Sequence, residues 1–110
     1  MTVYCISEPI RMENGEPIPL FDLTPAFQFG KVEILLQSKQ TGISTGPIIE
    51  VLQEKLVDFY DEDYILPVGD PTLIGIVCAI CSDINRGRFK MLKWDKRGRM
   101  YIPIQVDINV

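Results

Sequence analysis

The sequence predicts an α/β domain: a mixed sheet of about five strands with two helices and a C-terminal β-hairpin. Three observations predict it. Two strand–helix–strand successions follow one another through the middle of the chain, the pattern of parallel neighbours joined by crossovers. The C-terminal quarter alternates apolar and polar positions on both sides of Asp95-Lys96-Arg97-Gly98, as a hairpin does. Finally, 110 residues with a hydrophobic fraction of 46% and a charged fraction of 24% suffice for one core, hence one domain, without disulfides or metal.

The elements follow in order. Thr2 to Ser7 is apolar on both alternating sets, Val3 and Cys5 against Tyr4 and Ile6, which predicts a short buried strand ended by Glu8-Pro9. Met12 to Pro19 contains Asn14-Gly15, a strong turn signal, and reads as a surface loop or irregular hairpin. Phe21 to Phe29 is broken by Pro25 and is expected as an extended or single-turn connection that packs Phe21, Phe27 and Phe29 inward. Lys31 to Gln37 predicts a strand with Val32, Ile34 and Leu36 on one face, followed by the polar loop Ser38 to Gly46.

Pro47 opens a helix through Tyr60, because proline lacks an N–H that the first turn leaves unpaired anyway. Ile49, Leu52, Leu56 and Phe59 would face inward and Glu50, Glu54 and Asp58 outward. After Asp61-Glu62-Asp63 comes a short strand, Tyr64 to Val68, whose Pro67 marks an end or an edge. Asp70 is expected to cap a second helix opened by Pro71 and stopped by Gly87. That helix runs to about Asn85 and is apolar nearly all round, so it is expected to be mostly buried. Arg88 to Trp94 and Met100 to Ile108 then form the hairpin. Met100, Ile102, Ile104, Val106 and Ile108 are expected on its buried face, with Tyr101, Pro103, Gln105 and Asp107 on the wetter one. Pro103 assigns the last strand to the sheet edge.

Charge is the main functional signal. Residues 86 to 99 hold seven of the eleven basic residues and one acidic residue; the rest of the chain carries four basic and fourteen acidic residues. A net charge of −4 therefore hides a bipolar molecule, and separation of this kind steers binding. Arg86, Arg88, Lys90, Lys93, Lys96, Arg97 and Arg99 are the candidate anion-binding residues, with Trp94 and Tyr101 available to stack on bases. The bland alternative is a solvated sheet face whose lysines keep an edge strand from aggregating.

If the strands are parallel, their carboxyl ends share one edge. The loop after Gln37, the Gly69-Asp70-Pro71 turn and the hairpin tip would emerge there beside two helix N-termini, an arrangement suited to phosphate. Thr41, Gly42, Ser44 and Thr45 form a second candidate anion site, although the loop lacks the G-x-x-x-x-G-K-[ST] order.

Other chemistries find little footing. The chain has no histidine, which removes Ser-His-Asp and Cys-His nucleophiles and Cys2His2 zinc sites. Cys78-Ala-Ile-Cys81 lies within an apolar helix rather than at a helix start, so core packing is its expected role, and a disulfide framework is not expected from three cysteines. Asp61-Glu62-Asp63 lacks the spaced oxygens and glycine of a calcium loop and reads as acidic surface. No cofactor or metal is implied. The longest apolar run, Ile74 to Cys81, is far short of a bilayer span, and the N-terminus lacks the pattern of a signal peptide, so a cytoplasmic protein is expected.

The stretch Asp63 to Pro71 (DYILPVGDP), with Asn85 to Arg88 (NRGR), Leu92 to Asp95 (LKWD) and Tyr101 to Ile104 (YIPI), resembles small proteins encoded by tailed bacteriophages, particularly aquatic ones. The resemblance covers the C-terminal half. It implies a virus-encoded protein acting in the host cytoplasm, and it brings no activity, cofactor or residue role. The expected function is a non-enzymatic interaction module that binds nucleic acid or an acidic protein surface through the basic hairpin. The alternatives are a regulator that binds a host protein through its acidic face (Glu50, Glu54, Asp58 and Asp61 to Asp63) and a small enzyme acting on a phosphorylated substrate. Pairing into a homo-oligomer is a further expectation, since a bipolar subunit can dock on itself.

Overall fold

The structure, a computed structural model, describes residues 1–7, 10–19, 22–37 and 46–109. Strands β1 (Thr2–Ser7), β2 (Ile10–Glu13), β3 (Glu16–Pro19) and β4 (Lys31–Leu36) are followed by β5 (Tyr64–Leu66), β6 (Arg88–Asp95) and β7 (Met100–Asp107). A 3-10 helix (Thr24–Phe29) precedes β4, and helices α1 (Gly46–Lys55) and α2 (Pro71–Ile84) flank β5. Five strands make one sheet in the order β4-β1-β5-β6-β7. The first four are mutually parallel, and β7 returns antiparallel to β6. The mixed sheet, the two α-helices and the C-terminal hairpin are those the sequence predicts.

The position of β1 explains its composition. It lies between β4 and β5 and is covered on both faces, so both of its alternating sets are apolar. On one side Tyr4 and Ile6 pack with Ile65 beneath Leu52 of α1 and Val77 of α2. On the other, Val3 and Cys5 pack with Leu66, Leu92 and Tyr101 beneath Ala26 of the 3-10 helix. The result is three unequal layers: two α-helices, the sheet, and a short 3-10 helix.

Local signals set the remaining boundaries. Asn14 and Gly15 both take positive φ, 52° and 81°, the geometry of the two-residue turn that joins β2 to β3. The Asp70 carboxylate accepts the Thr72 N–H at 2.7 Å and caps α2, with Pro71 at its first turn. Pro67 ends β5; the strand is interior, so of the two readings of this proline the end is the one realised. Pro103 does mark an edge strand.

Several expectations need correction. The first helix ends at Lys55 rather than Tyr60, and Leu56 to Asp58 form a turn. Lys55 reaches back to donate to the Leu35 carbonyl at 2.6 Å. Ile48 is buried and Ile49 only half-buried, so the inward stripe is Ile48, Leu52, Leu56 and Phe59. Phe27 points to solvent at 58% exposure, because the 3-10 helix turns Ala26 toward the sheet; Phe21 lies outside the described residues. In α2 only Leu73, Val77 and Cys81 are buried, one stripe at four-residue spacing, because no further layer among the described residues covers the opposite side.

The phase of β7 is also the reverse of that expected. Tyr101 is buried at 7%, whereas Met100, Ile102 and Ile104 are exposed. Near Phe89 and Met91 the helix-side face of the hairpin packs with the α2 layer, but its distal part extends past α2 and no element among the described residues covers it. The other face curls toward the 3-10 helix, which β7 touches, and Tyr101 is covered there.

Candidate functional site

The relative lengths of β5 and β6 open a cleft in the surface. β5 has three residues and stops at Leu66, while β6 continues to Asp95. Among the described residues the β5–β6 ladder pairs Tyr64 with Lys90 and Ile65 with Met91, and beyond Met91 none of them forms a strand on that side of β6. The space that a longer β5 would fill is a cleft of about 750 Å³, within the usual range of ligand sites. Its walls are Leu66, Pro67 and Val68 at the end of β5, the distal hairpin with Leu92, Trp94 and Tyr101, and Asp22 and Pro25 at the 3-10 helix.

Among the described residues the lining is mainly apolar, and its charged members are Lys93 and Asp22. Trp94 is 41% exposed. Its ring meets the buried Tyr101 edge-on, with centroids 4.9 Å apart and planes inclined by 64°, which fixes the indole in place. Burial and the negative surroundings push the Tyr101 phenol above its ordinary range, so it stays protonated at neutral pH. Asp22 sits below the ordinary carboxylate range because the Thr24 hydroxyl and N–H both donate to it, so it is ionised.

The structure divides the sequence-predicted cations into two groups. Lys93, Lys96, Arg97 and Arg99 lie at the distal end, all exposed, around the tip beside Trp94. The tip is tightly made: Asp95 accepts the N–H of Arg97 and of Gly98, each at 3.2 Å, and Arg99 takes a left-handed φ of 51°. Arg86, Arg88 and Lys90 lie at the other end. The seven steps from Arg88 to Asp95, at about 3.3 Å each, put roughly 23 Å between Arg88 and the tip, while Lys90 and Lys93, three steps apart, are the nearest members of the two groups at roughly 10 Å.

The proximal cations have local company. Lys90 is half-buried with its ammonium 4.3 Å from the centroid of the Tyr64 ring. Arg88 faces Asp107 across the ladder. Asp107 ionises below its ordinary range mainly because the Asn109 amides donate to it, with a smaller pull from Arg88. Arg86 occupies a left-handed position after α2, and its carbonyl accepts from the Asn109 side chain at 2.7 Å. Among the described residues, no carboxylate lies within ion-pair distance of any of the seven.

Other candidates resolve differently. Thr41, Gly42, Ser44 and Thr45 lie outside the described residues. The carboxyl ends of β4, β5 and β6 do share one edge, but the α2 N-terminus is already occupied by its own Asp70 carboxylate and offers little to an external anion. The crevice between β1 and β5, where the strand order reverses, is closed by the Ser7 N–H on the Val68 carbonyl at 3.0 Å. A Cβ at Gly69, whose φ is +134°, would run into the Ser7 hydroxyl.

All three cysteines are free thiols. Burial raises each of them, Cys5 to about 11 and Cys81 to about 12, the opposite of a reactive thiolate.

The acidic triplet is split. Asp61 accepts from the Asn85 side chain at 2.7 Å and Glu62 is exposed, whereas Asp63 is only 2% exposed. It accepts the Thr2 N–H at 2.9 Å and the Tyr60 N–H at 3.1 Å, joining the start of β1 to the turn before β5. The sequence signal for this role was the tyrosine following it, which places Asp63 at a strand start rather than within a charged run.

A family model described as Phage Pam3 gp32-like protein matches residues 1–108. No curated protein and no solved structure matches the chain.

Proposed function

The chain belongs to the Phage Pam3 gp32-like family, and from that footing we propose that it is a non-enzymatic interaction module that binds nucleic acid through the distal half of its C-terminal hairpin. The observation that carries this reading is the group Lys93, Lys96, Arg97 and Arg99: four exposed cations around a tip that extends past the end of β5, next to a half-exposed tryptophan. Phosphates supply matching charge, and releasing their counterions drives binding. The acidic remainder of the chain repels the same polyanion, so only the hairpin end can approach it.

A salt titration with short DNA and RNA tests this. Four phosphate contacts give a log–log slope of about −3 on a single strand and nearer −4 on a duplex. A flat line, or no binding at low salt, refutes the reading.

One observation favours a second reading, contact with a host protein. Val57 and Tyr60 are exposed at 67% and 50% amid Glu54, Asp58, Asp61 and Glu62, a mixed apolar and acidic surface of the kind protein partners use. Capture of a host protein that survives nuclease and is lost on reversing those acidic charges supports it; nuclease-sensitive capture rejects it.

A further inference from the structure

We propose that the cleft beside β6 receives one unstacked nucleobase, so that the protein selects single-stranded nucleic acid over duplex. This rests on the reading of the hairpin as the polyanion-binding element and names the form of nucleic acid that it takes.

Four features of the site converge on this occupant. The first is shape. The gap left by the short β5 lies between the Trp94–Tyr101 pair and the Leu66-Pro67-Val68 segment, and a volume of about 750 Å³ leaves ample room for one flat ring. The second is chemistry. The walls are apolar, and a half-exposed indole held edge-on by a buried phenol presents its π-face without first having to be ordered.

The third is the strand edge itself. Residues along β6 direct their backbone groups alternately to β7 and to the opposite side, and past Met91 no strand among the described residues meets that opposite side. N–H and C=O groups within Leu92–Asp95 therefore face the gap, placed to meet the hydrogen-bonding edge of a base. The fourth is charge. Lys93 lines the cleft, with Lys96, Arg97 and Arg99 just beyond it. Ionised Asp22 also lines the cleft and repels phosphate, so the phosphates of an entering strand lie toward the tip cations.

A duplex can use only the fourth feature. Its bases are stacked and paired, and none can enter the cleft unless it is first extruded. An extended acidic peptide could pair with the same strand edge, and it is the competing occupant.

Binding to 12-nucleotide single strands of DNA and of RNA, to duplexes of the same length, to a base-free sugar–phosphate strand of equal charge, and to poly-glutamate separates these cases. Trp94 is the sole tryptophan, so its fluorescence reports directly on the cleft. The expected result is that single strands carrying bases bind roughly 5- to 150-fold more tightly than the base-free strand, the range conferred by stacking one base, and quench Trp94. Whichever of the DNA and RNA strands binds more tightly names the source. Trp94→Leu should abolish that preference while leaving the salt slope intact, and Val68→Phe, which fills the opposite wall and keeps the tryptophan, should abolish both preference and quenching.

Equal binding of base-bearing, base-free and duplex forms, with unchanged fluorescence, overturns the cleft assignment while the hairpin reading stands. Tighter binding of poly-glutamate than of any oligonucleotide overturns it in favour of an acidic protein. Failure of every polyanion to bind overturns the hairpin reading itself.

Discussion

Replacing Asp63 with alanine should destabilise the domain by about 2–4 kcal/mol. The carboxylate is buried and accepts two backbone donors from distant parts of the chain, Thr2 at 2.9 Å and Tyr60 at 3.1 Å, while its own N–H returns to the Tyr60 carbonyl at 3.0 Å. A hydrogen bond to a charged acceptor contributes about 1.5–3 kcal/mol, and removing the acceptor leaves both donors unpaired. Thr2 is half-buried and Tyr60 exposed, so water can partly replace the lost acceptor, which brings the two-bond sum of about 3–6 kcal/mol down to about 2–4 kcal/mol. At roughly 4 °C per kcal/mol for a domain of this size, Tm should fall by about 8–16 °C. Asp63→Asn keeps the shape and one carbonyl oxygen but turns an NH2 toward the second donor, so about half of that loss is expected. Urea unfolding at neutral pH, read by circular dichroism, measures both variants. If both stay within about 0.5 kcal/mol of the parent, Asp63 is not the tie between β1 and the β5 turn that its geometry implies.

Three further outcomes follow from the same geometry. Lys96→Gln combined with Arg97→Gln should reduce the salt slope of oligonucleotide binding by about 1.4, whereas Arg88→Gln, at the far end of the hairpin, should leave it within error; equal effects would contradict the division of the cations. Stability should fall with rising pH above about 9, because the folded chain holds Cys5 and Cys81 protonated to about 11 and 12 and Tyr4 to about 12, while the unfolded chain releases those protons earlier. Their contribution is complete below the unfolded values and lost as pH climbs through the folded ones; urea midpoints from pH 7 to 11 should decline, and less steeply in Cys81→Ala, so a flat profile refutes it. Pro103→Val should raise the weight-average mass at a given concentration, measured by light scattering, because it restores an N–H to the outer edge of β7 beside exposed Ile102 and Ile104; an unchanged mass would show that this edge is blunted by something else.

What the sequence made legible was whatever depends on neighbours along the chain. Asn14-Gly15 turns because only such residues take paired positive φ cheaply, and Asp70-Pro71 starts a helix through a bond spanning two residues. The parallel order followed from spacing alone, since a helix between two strands returns the chain in the same direction. What stayed hidden depends on layers. Alternation in β7 gave the right period, but Met100, Ile102 and Ile104 compete with Tyr101 for the inner face, and the curl of the hairpin over the 3-10 helix decides it. The basic run looked continuous for a similar reason: an extended strand spreads neighbours in sequence over roughly 23 Å and onto two faces. The cleft was half visible. Pro67 announced that β5 stops, but only the sheet order shows that the longer β6 stands next to it.

The placement of β1 also bears on how the chain is made. This strand is synthesised before its neighbours β4 and β5, and the residue that ties its start, Asp63, is encoded 61 positions after Thr2. At about 5–20 residues per second, several seconds of synthesis pass before Val3, Cys5 and Ile6 can be covered. During translation a strand destined for burial on both faces is thus left waiting, and the host's nascent-chain chaperones are the machinery on which its yield should depend.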